Sequence, residues 1–126
     1  MENASDLLRT KARKKDRYYE DEKYVRMACA TAYNAVWLAV DAYVEMKGHP
    51  IRKKRNSRIS VEDYRKTLGV LDSKLLKEFN SVYRVLHLEG YYEGETKYDI
   101  IRSGMDSAIQ IINKIKPIGA ENYKLN

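Results

Sequence analysis

The chain has 126 residues, with 24 basic and 18 acidic side chains and a formal net charge of +6. This length suits a single domain over residues 1–126, large enough to bury about 60 to 70% of the surface that the unfolded chain exposes. The one cysteine, Cys29, excludes an intramolecular disulfide. No apolar run approaches the roughly 18 residues that a membrane span requires, so we expect a cytoplasmic protein without membrane contact.

Two helices are predicted in the first half of the chain. Residues 2–13 place their apolar side chains at helical spacing, which predicts a helix of modest strength. Residues 21–47 show the same periodicity over a much longer stretch, and the acidic residues at its start suit a helix N-terminus. We expect this helix to end at Gly48-His49-Pro50, because glycine permits a left-handed cap and proline cannot continue the hydrogen-bond ladder.

Five alanines recur along the long predicted helix at steps of four, three, four and three; they are Ala28, Ala32, Ala35, Ala39 and Ala42. At about 3.6 residues per turn these steps return to one side of the helix, so they predict a narrow seam along which a second helix packs closely. The last predicted helix repeats these steps and contains Gly104 and Ala108, so we expect it to pack against Ala35 and Ala39.

A short helix is predicted next. Ser60 and Asp63 form a start that resembles a capping box, so we expect a helix from there to about residue 68. Gly69 weakens a helix interior by about 1 kcal/mol relative to alanine, and Asp72 offers a new cap. The chain is therefore expected to break at this point, and one kinked helix is the alternative.

Two longer helices complete the predicted fold. Helical spacing predicts a helix over residues 73–89, a turn over 90–96 and a last helix from there to about residue 114. Residues 117–126, which begin with a proline, are expected to form a frayed tail. No stretch alternates as a strand does, and most connections are short. The sequence therefore predicts an all-α protein, an antiparallel up-and-down four-helix bundle with an extra short helix.

Three sets of residues are candidates for function. A basic run of the type that contacts nucleic acid consists of Arg52, Lys53, Lys54, Arg55 and Arg58. Arg84 and His87 share a helix face as a candidate polar site, in which a cation and a general acid could act on a phosphodiester. Two tyrosine pairs in connections are candidate interface residues: Tyr18, Tyr19, Tyr91 and Tyr92. The structural alternatives are a solvated loop, a polar helix end and closure of the bundle ends.

Other chemistry has no motif in this sequence. A helical di-iron site needs Glu-x-x-His on paired helices, and that motif does not occur. A Gly-x-Ser-x-Gly elbow and a Gly-Lys-Ser/Thr phosphate loop are also absent from the sequence. Cys29 lies among small apolar residues and is expected to be buried. We therefore predict no catalytic residue, no metal site and no cofactor.

Three segments carry a family resemblance: KYVRMACATAYNAVWLAVDAYVEMKG, HLEGYYEG and YDIIRSGMDSAIQIINKIK. They resemble a small family of uncharacterised bacterial helical proteins, catalogued as a domain of unknown function, over about residues 21–116. More distantly, the chain resembles the HEPN superfamily of four-helix bundles, many of which are RNases or toxin components. This resemblance implies a bundle that dimerises. The nuclease members separate their arginine and histidine by more residues than the two between Arg84 and His87.

The leading hypothesis is a non-enzymatic cytoplasmic protein that binds a second copy of itself, or another protein, through tyrosine-bearing helix faces. The alternative hypothesis is an RNA-binding or degenerate HEPN-type protein, of the toxin–antitoxin kind, that uses the basic run. A phosphodiesterase-like site at Arg84 and His87 is a third reading.

Overall fold

The computed structural model describes residues 1–51 and 60–115, and within them the chain is mostly helical, as predicted. In chain order the elements are α1 (Glu2–Asp6), which continues as the π-helix π1 (Leu7–Ala12), strands β1 (Lys14–Lys15) and β2 (Tyr18–Tyr19), α2 (Glu22–Met46), α3 (Val61–Leu71), α4 (Ser73–Val82), which continues as the π-helix π2 (Tyr83–Tyr92), and α5 (Tyr98–Ile115). The basic run at residues 52–58 and the tail predicted at 117–126 lie outside the described residues.

The prediction of a structure without strands is wrong at one place. Strands β1 and β2 form an antiparallel hairpin in which Lys14 pairs with Tyr19. Its turn consists of Asp16 and Arg17, and Asp16 has a φ of 57°, the left-handed conformation that tight hairpin turns need. Each strand has only two residues, too few to produce the alternation by which a strand is recognised in a sequence.

The central helix α2 agrees with its prediction to within one residue at each end. Asp21 caps it, because its carboxylate accepts a hydrogen bond from the backbone N–H of Lys23 at 3.1 Å. After the last turn, Gly48 takes a φ of 80°, and the N–H of His49 donates to the carbonyl of Val44 at 2.8 Å. Within the described residues, no helix is long and apolar enough to cross a membrane.

The alanine seam on α2 is only partly buried. Ala28 and Ala32 lie in the core, Ala35 and Ala39 are half-buried and Ala42 is exposed. The fully buried side of the helix is rotated away from this seam and includes Val25, Cys29, Val36, Val40 and Val44. These side chains remove more apolar surface from water than alanine methyl groups do, so this side faces the core. The predicted burial of the whole seam is therefore wrong.

The break between α3 and α4 lies at Asp72. The capping box is confirmed, since the N–H of Ser60 donates to the carboxylate of Asp63 at 3.0 Å. Gly69 lies inside α3 rather than at its end. Asp72 is extended, with φ −162° and ψ 103°, and its carboxylate accepts from the N–H groups of Lys74 at 3.1 Å and Leu75 at 3.2 Å. The break between α3 and α4 is therefore set by the new cap at Asp72 and not by Gly69.

Two glycines mark close contacts around π2. A β-carbon on Gly90 would overlap the Sγ atom of Cys29 on α2. On α5, a β-carbon at Gly104 would lie 2.6 Å from Cγ1 of Val85 and 2.8 Å from Cδ2 of Leu86. The prediction of a close contact at Gly104 is confirmed, but these atoms belong to π2 and not to the alanine seam. Helix α5 also packs against α2 and α4.

Candidate functional site

An aromatic cluster surrounds His87 on π2. The imidazole stacks on the ring of Tyr33 from α2, with 4.5 Å between centroids and 21° between planes. Tyr83 lies 5.2 Å away, Tyr91 is nearly parallel at 6.3 Å, and Tyr92 presents its edge at 4.9 Å. We call these five residues the His87 cluster. Offset and edge contacts of this kind stabilise aromatic groups beyond the area that they bury.

Two helices supply the His87 cluster. Tyr83, His87 and Tyr91 follow each other at steps of four along π2, which brings their side chains to one side of it. Tyr33 comes from the side of α2 that faces π2, four residues after Cys29. The close approach of Cys29 to Gly90 sets the distance between the two helices at this level.

Arg26 of α2 fixes the end of π2 where the cluster is exposed. Its Nη1 group donates to the carbonyl oxygens of Tyr91 at 2.6 Å and Tyr92 at 3.0 Å. Carbonyls at a helix C-terminus have no partner within the helix and carry partial negative charge, so a guanidinium satisfies both needs. Arg26 also lies 3.4 Å from the carboxylate of Glu22. The rings of Tyr91 and Tyr92 are thereby held beside His87.

A second group of rings continues from Tyr33 towards α3. Trp37 meets Tyr33 edge-on at 6.0 Å and Tyr64 at 4.3 Å. The hydroxyl of Tyr64 donates to the carboxylate of Asp41 on α2 at 2.7 Å. Aromatic contacts therefore run without interruption from Tyr92 to α3.

The chemistry of the cluster is that of a neutral imidazole. Burial lowers the pKa of His87, so the ring is uncharged at neutral pH. Arg84 is exposed, while the described ring contacts of His87 are all with tyrosines. The two candidate residues thus face different surroundings, and action on a phosphodiester stays a prediction.

Cys29 is fully buried, as expected, and burial raises the pKa of its thiol to about 12. The thiol is therefore protonated at neutral pH, which does not suit a nucleophile. In the part of the chain that the structure describes, no three His, Cys, Asp or Glu side chains come together to hold a metal ion.

The tyrosine pairs differ from each other in exposure. Tyr18, Tyr91 and Tyr92 are exposed. Tyr19 is only 7% exposed, and its ring lies 5.5 Å from that of Tyr98. As a surface interface residue, Tyr19 is therefore a wrong prediction, because the hairpin turns its side chain inward while Tyr18 points outward.

One side of α2 carries exposed apolar side chains near its start, middle and end. Leu38 is 75% exposed, Met46 69% and Met27 44%. Smaller residues separate them on the same side at helical steps of three or four. We call this side the outer face of α2; its members are Met27, Thr31, Ala35, Leu38, Ala42 and Met46. The outer face shares Ala35 and Ala42 with the alanine seam, so the sequence prediction of a buried seam is wrong at these two residues.

Comparisons with known proteins place the chain in a family. A family model described as "Domain of unknown function (DUF5618)" matches residues 1–117. A solved structure, a protein of unknown function from Dyadobacter fermentans, is 38% identical with a TM-score of 0.78, and the match covers 90% of this chain and 86% of that one. No curated protein matches at a significant level. The chain belongs to the DUF5618 family, which confirms the expected resemblance to a family of unknown function.

Proposed function

We propose that this member of the DUF5618 family is a non-enzymatic protein that acts by protein–protein contact as a homodimer, through the outer face of α2. The observation that carries the proposal is the 75% exposure of Leu38 in the middle of the central helix. A helix side whose large apolar residues stay exposed within the described residues is typical of an interface. Exposed Tyr91 and Tyr92 are weaker candidates, because their rings pack on each other and on His87.

The outer face is complementary to itself in an antiparallel arrangement. A two-fold axis between Asn34 and Ala35 would place Leu38 opposite Thr31 of the second copy and Met27 opposite its Ala42. Leu38 and Met27 would then each meet a small side chain, the condition for interdigitated packing, and Met46 would lie opposite Lys23. Helix α2 is 25 residues long, about 37 Å at 1.5 Å per residue, so the contact has room for a standard interface.

Charge supports the same orientation. Lys23 lies at the start of α2 and Glu45 near its end, and both are exposed. They are 22 positions apart, about six turns, so both side chains lie on one flank of the outer face. In an antiparallel pair, each lysine would approach the glutamate of the second copy, whereas a parallel pair would bring like charges together.

The experiment is a measurement of molar mass in solution over a range of concentrations. The parent chain and Val70→Glu should be dimers, and Leu38→Glu should be a monomer with unchanged helical content. Val70 is the matched control, because it is an apolar residue of α3 with 79% exposure. A monomeric parent at high concentration, or a dimeric Leu38→Glu variant, would refute the proposal.

A charge exchange tests the orientation. Lys23→Glu and Glu45→Lys should each weaken the dimer, and the double variant should restore it.

We also propose the up-and-down four-helix arrangement expected from the sequence, which is supported by the contacts of α2 with π2 and α5 and of α4 with α5.

A further inference from the structure

Three cationic side chains from separate parts of the chain meet at one pocket. The pocket has a volume of about 210 Å³, and its lining includes Arg9 of π1, Lys14 of β1 and Arg102 of α5. Tyr19 and Tyr98 complete one wall and Leu8 contributes an apolar surface. Within the described residues, no acidic side chain lines it. We call it the Arg102 pocket.

Each of the three cationic side chains has a contact within the chain and can still bind a ligand. Arg102 donates from Nη1 to the hydroxyl of Tyr98 at 2.9 Å, and its Nε lies 3.6 Å from the carboxylate of Asp106. Arg9 donates to Asp6 at 2.9 Å. A guanidinium has five N–H donors, so both arginines keep donors for a ligand. The ammonium of Lys14 lies 3.9 Å from the centre of the Tyr98 ring.

The backbone fixes Lys14 above α5. The N–H of Tyr19 donates to the carbonyl of Thr96 at 2.8 Å, and the N–H of Tyr98 donates to the carbonyl of Arg17 at 2.8 Å. These two bonds tie the hairpin to the start of α5. The pocket is therefore organised before a ligand arrives, which reduces the entropy cost of binding.

Tyr19 borders the pocket as an uncharged side chain. Burial, and then the neighbouring Tyr98, raise the pKa of Tyr19 to about 12. Tyrosine is already uncharged at neutral pH, and this shift moves it further from the phenolate, so Tyr19 adds no negative charge to the pocket. Two arginines, one lysine and two tyrosines therefore line a space that also has an aliphatic border.

We propose that the Arg102 pocket binds a small phosphate monoester, with the phosphate on Arg9, Lys14 and Arg102 and the organic part against Leu8 and the tyrosine rings. A phosphate dianion matches paired guanidinium groups better than a single carboxylate does, because it offers three acceptor oxygens. This volume is smaller than the roughly 300 to 1,000 Å³ of pockets that bind drug-sized ligands. A sugar phosphate therefore suits the pocket better than a nucleotide does.

The test uses the full chain and ribose 5-phosphate as the probe, with ribose and inorganic phosphate as separate arms. Calorimetric titration should detect ribose 5-phosphate, weaker inorganic phosphate and no ribose. Arg102→Gln and Lys14→Gln should each weaken the sugar phosphate at least about tenfold, since each removes a charge-assisted hydrogen bond. Lys66→Gln is the matched control for Lys14→Gln, because it removes an exposed lysine of α3 outside the pocket lining, and its affinity should equal that of the parent.

Nuclear magnetic resonance of the parent chain gives a readout that needs no variant. Ribose 5-phosphate should shift the signals of Tyr19, Tyr98 and Arg102. Absence of binding at millimolar concentration, or shifts confined to other residues, would overturn the proposal. An equal loss of affinity in Lys66→Gln would also overturn it, because the attraction would then be one of net charge. The proposal is also overturned if a short RNA shifts the signals of the pocket residues and ribose 5-phosphate does not.

Discussion

Replacing Gly90 with alanine tests the contact that sets the distance between α2 and π2. The added β-carbon would overlap the Sγ of Cys29 and lie 3.1 Å from its Cβ. Cys29 is fully buried, so its side chain has no free space to move into, and one of the two helices must shift. Overpacking of this kind costs about 1 to 3 kcal/mol. The overlap with a buried sulfur places the cost in the upper part of this range, about 2 to 3 kcal/mol. Alanine returns about 0.5 to 1 kcal/mol as the better helix former, which leaves a net loss of roughly 1 to 2.5 kcal/mol.

Gly69→Ala is the matched control for this substitution. Its β-carbon would lie 3.4 Å from Cδ2 of Leu76, an ordinary contact, and Gly69 is exposed inside α3. The same chemical change should therefore stabilise the chain here by about 0.5 to 1 kcal/mol. The two variants each add one methyl group, yet their changes in the free energy of unfolding should have opposite signs.

Urea and thermal unfolding, followed by far-ultraviolet circular dichroism, measure both effects. At about 4 °C per kcal/mol, Gly90→Ala should lower Tm by several degrees and Gly69→Ala should raise it slightly. Adding Cys29→Ala to Gly90→Ala removes the overlapping sulfur, so the double variant should lose less stability than the two single losses predict together. If Gly90→Ala is as stable as the parent, α2 and π2 do not meet as described.

Two further predictions concern charge. The ion pair with Lys114 at 2.7 Å and the N–H bonds of its helix cap lower the pKa of Asp72. Above about pH 5 the parent should therefore be more stable than Asp72→Asn, and it should lose this advantage as the pH falls through the lowered pKa. Urea titrations at several pH values measure the difference in stability, and a difference that does not change with pH would contradict this prediction. The alternative function, RNA binding, is tested by changing the basic run to glutamine: Arg52, Lys53, Lys54, Arg55 and Arg58. The variant should retain less RNA, and its retention should depend less on salt concentration. Unchanged retention would eliminate RNA binding through these residues.

The sequence predicts the helices whose ends carry local signals. Asp21 and Gly48 bracket α2, and Ser60 with Asp63 opens α3, because a cap and its partner lie within a few residues of each other. The end of π2 has no such signal. Gly90 suggested a turn, yet the helix continues to Tyr92 because Gly90 permits the approach of Cys29 and Arg26 binds the terminal carbonyls. Both partners are distant in sequence.

The same distinction separates the parts of the candidate site. The steps of four from Tyr83 to His87 and Tyr91 are visible along the chain, but the stacking of Tyr33 on His87 depends on how α2 and π2 pack. The Arg102 pocket depends on the fold still more. A search for basic runs finds cations that are neighbours in sequence, and such neighbours repel one another and point into solvent. Arg9 and Arg102 lie outside the runs of adjacent cations. Lys14 belongs to the run Arg13-Lys14-Lys15, but the hydrogen bonds of the hairpin at the start of α5 bring it to these two arginines. Cations that converge on one cavity are therefore a property of the tertiary structure, and their positions along the sequence give no sign of it.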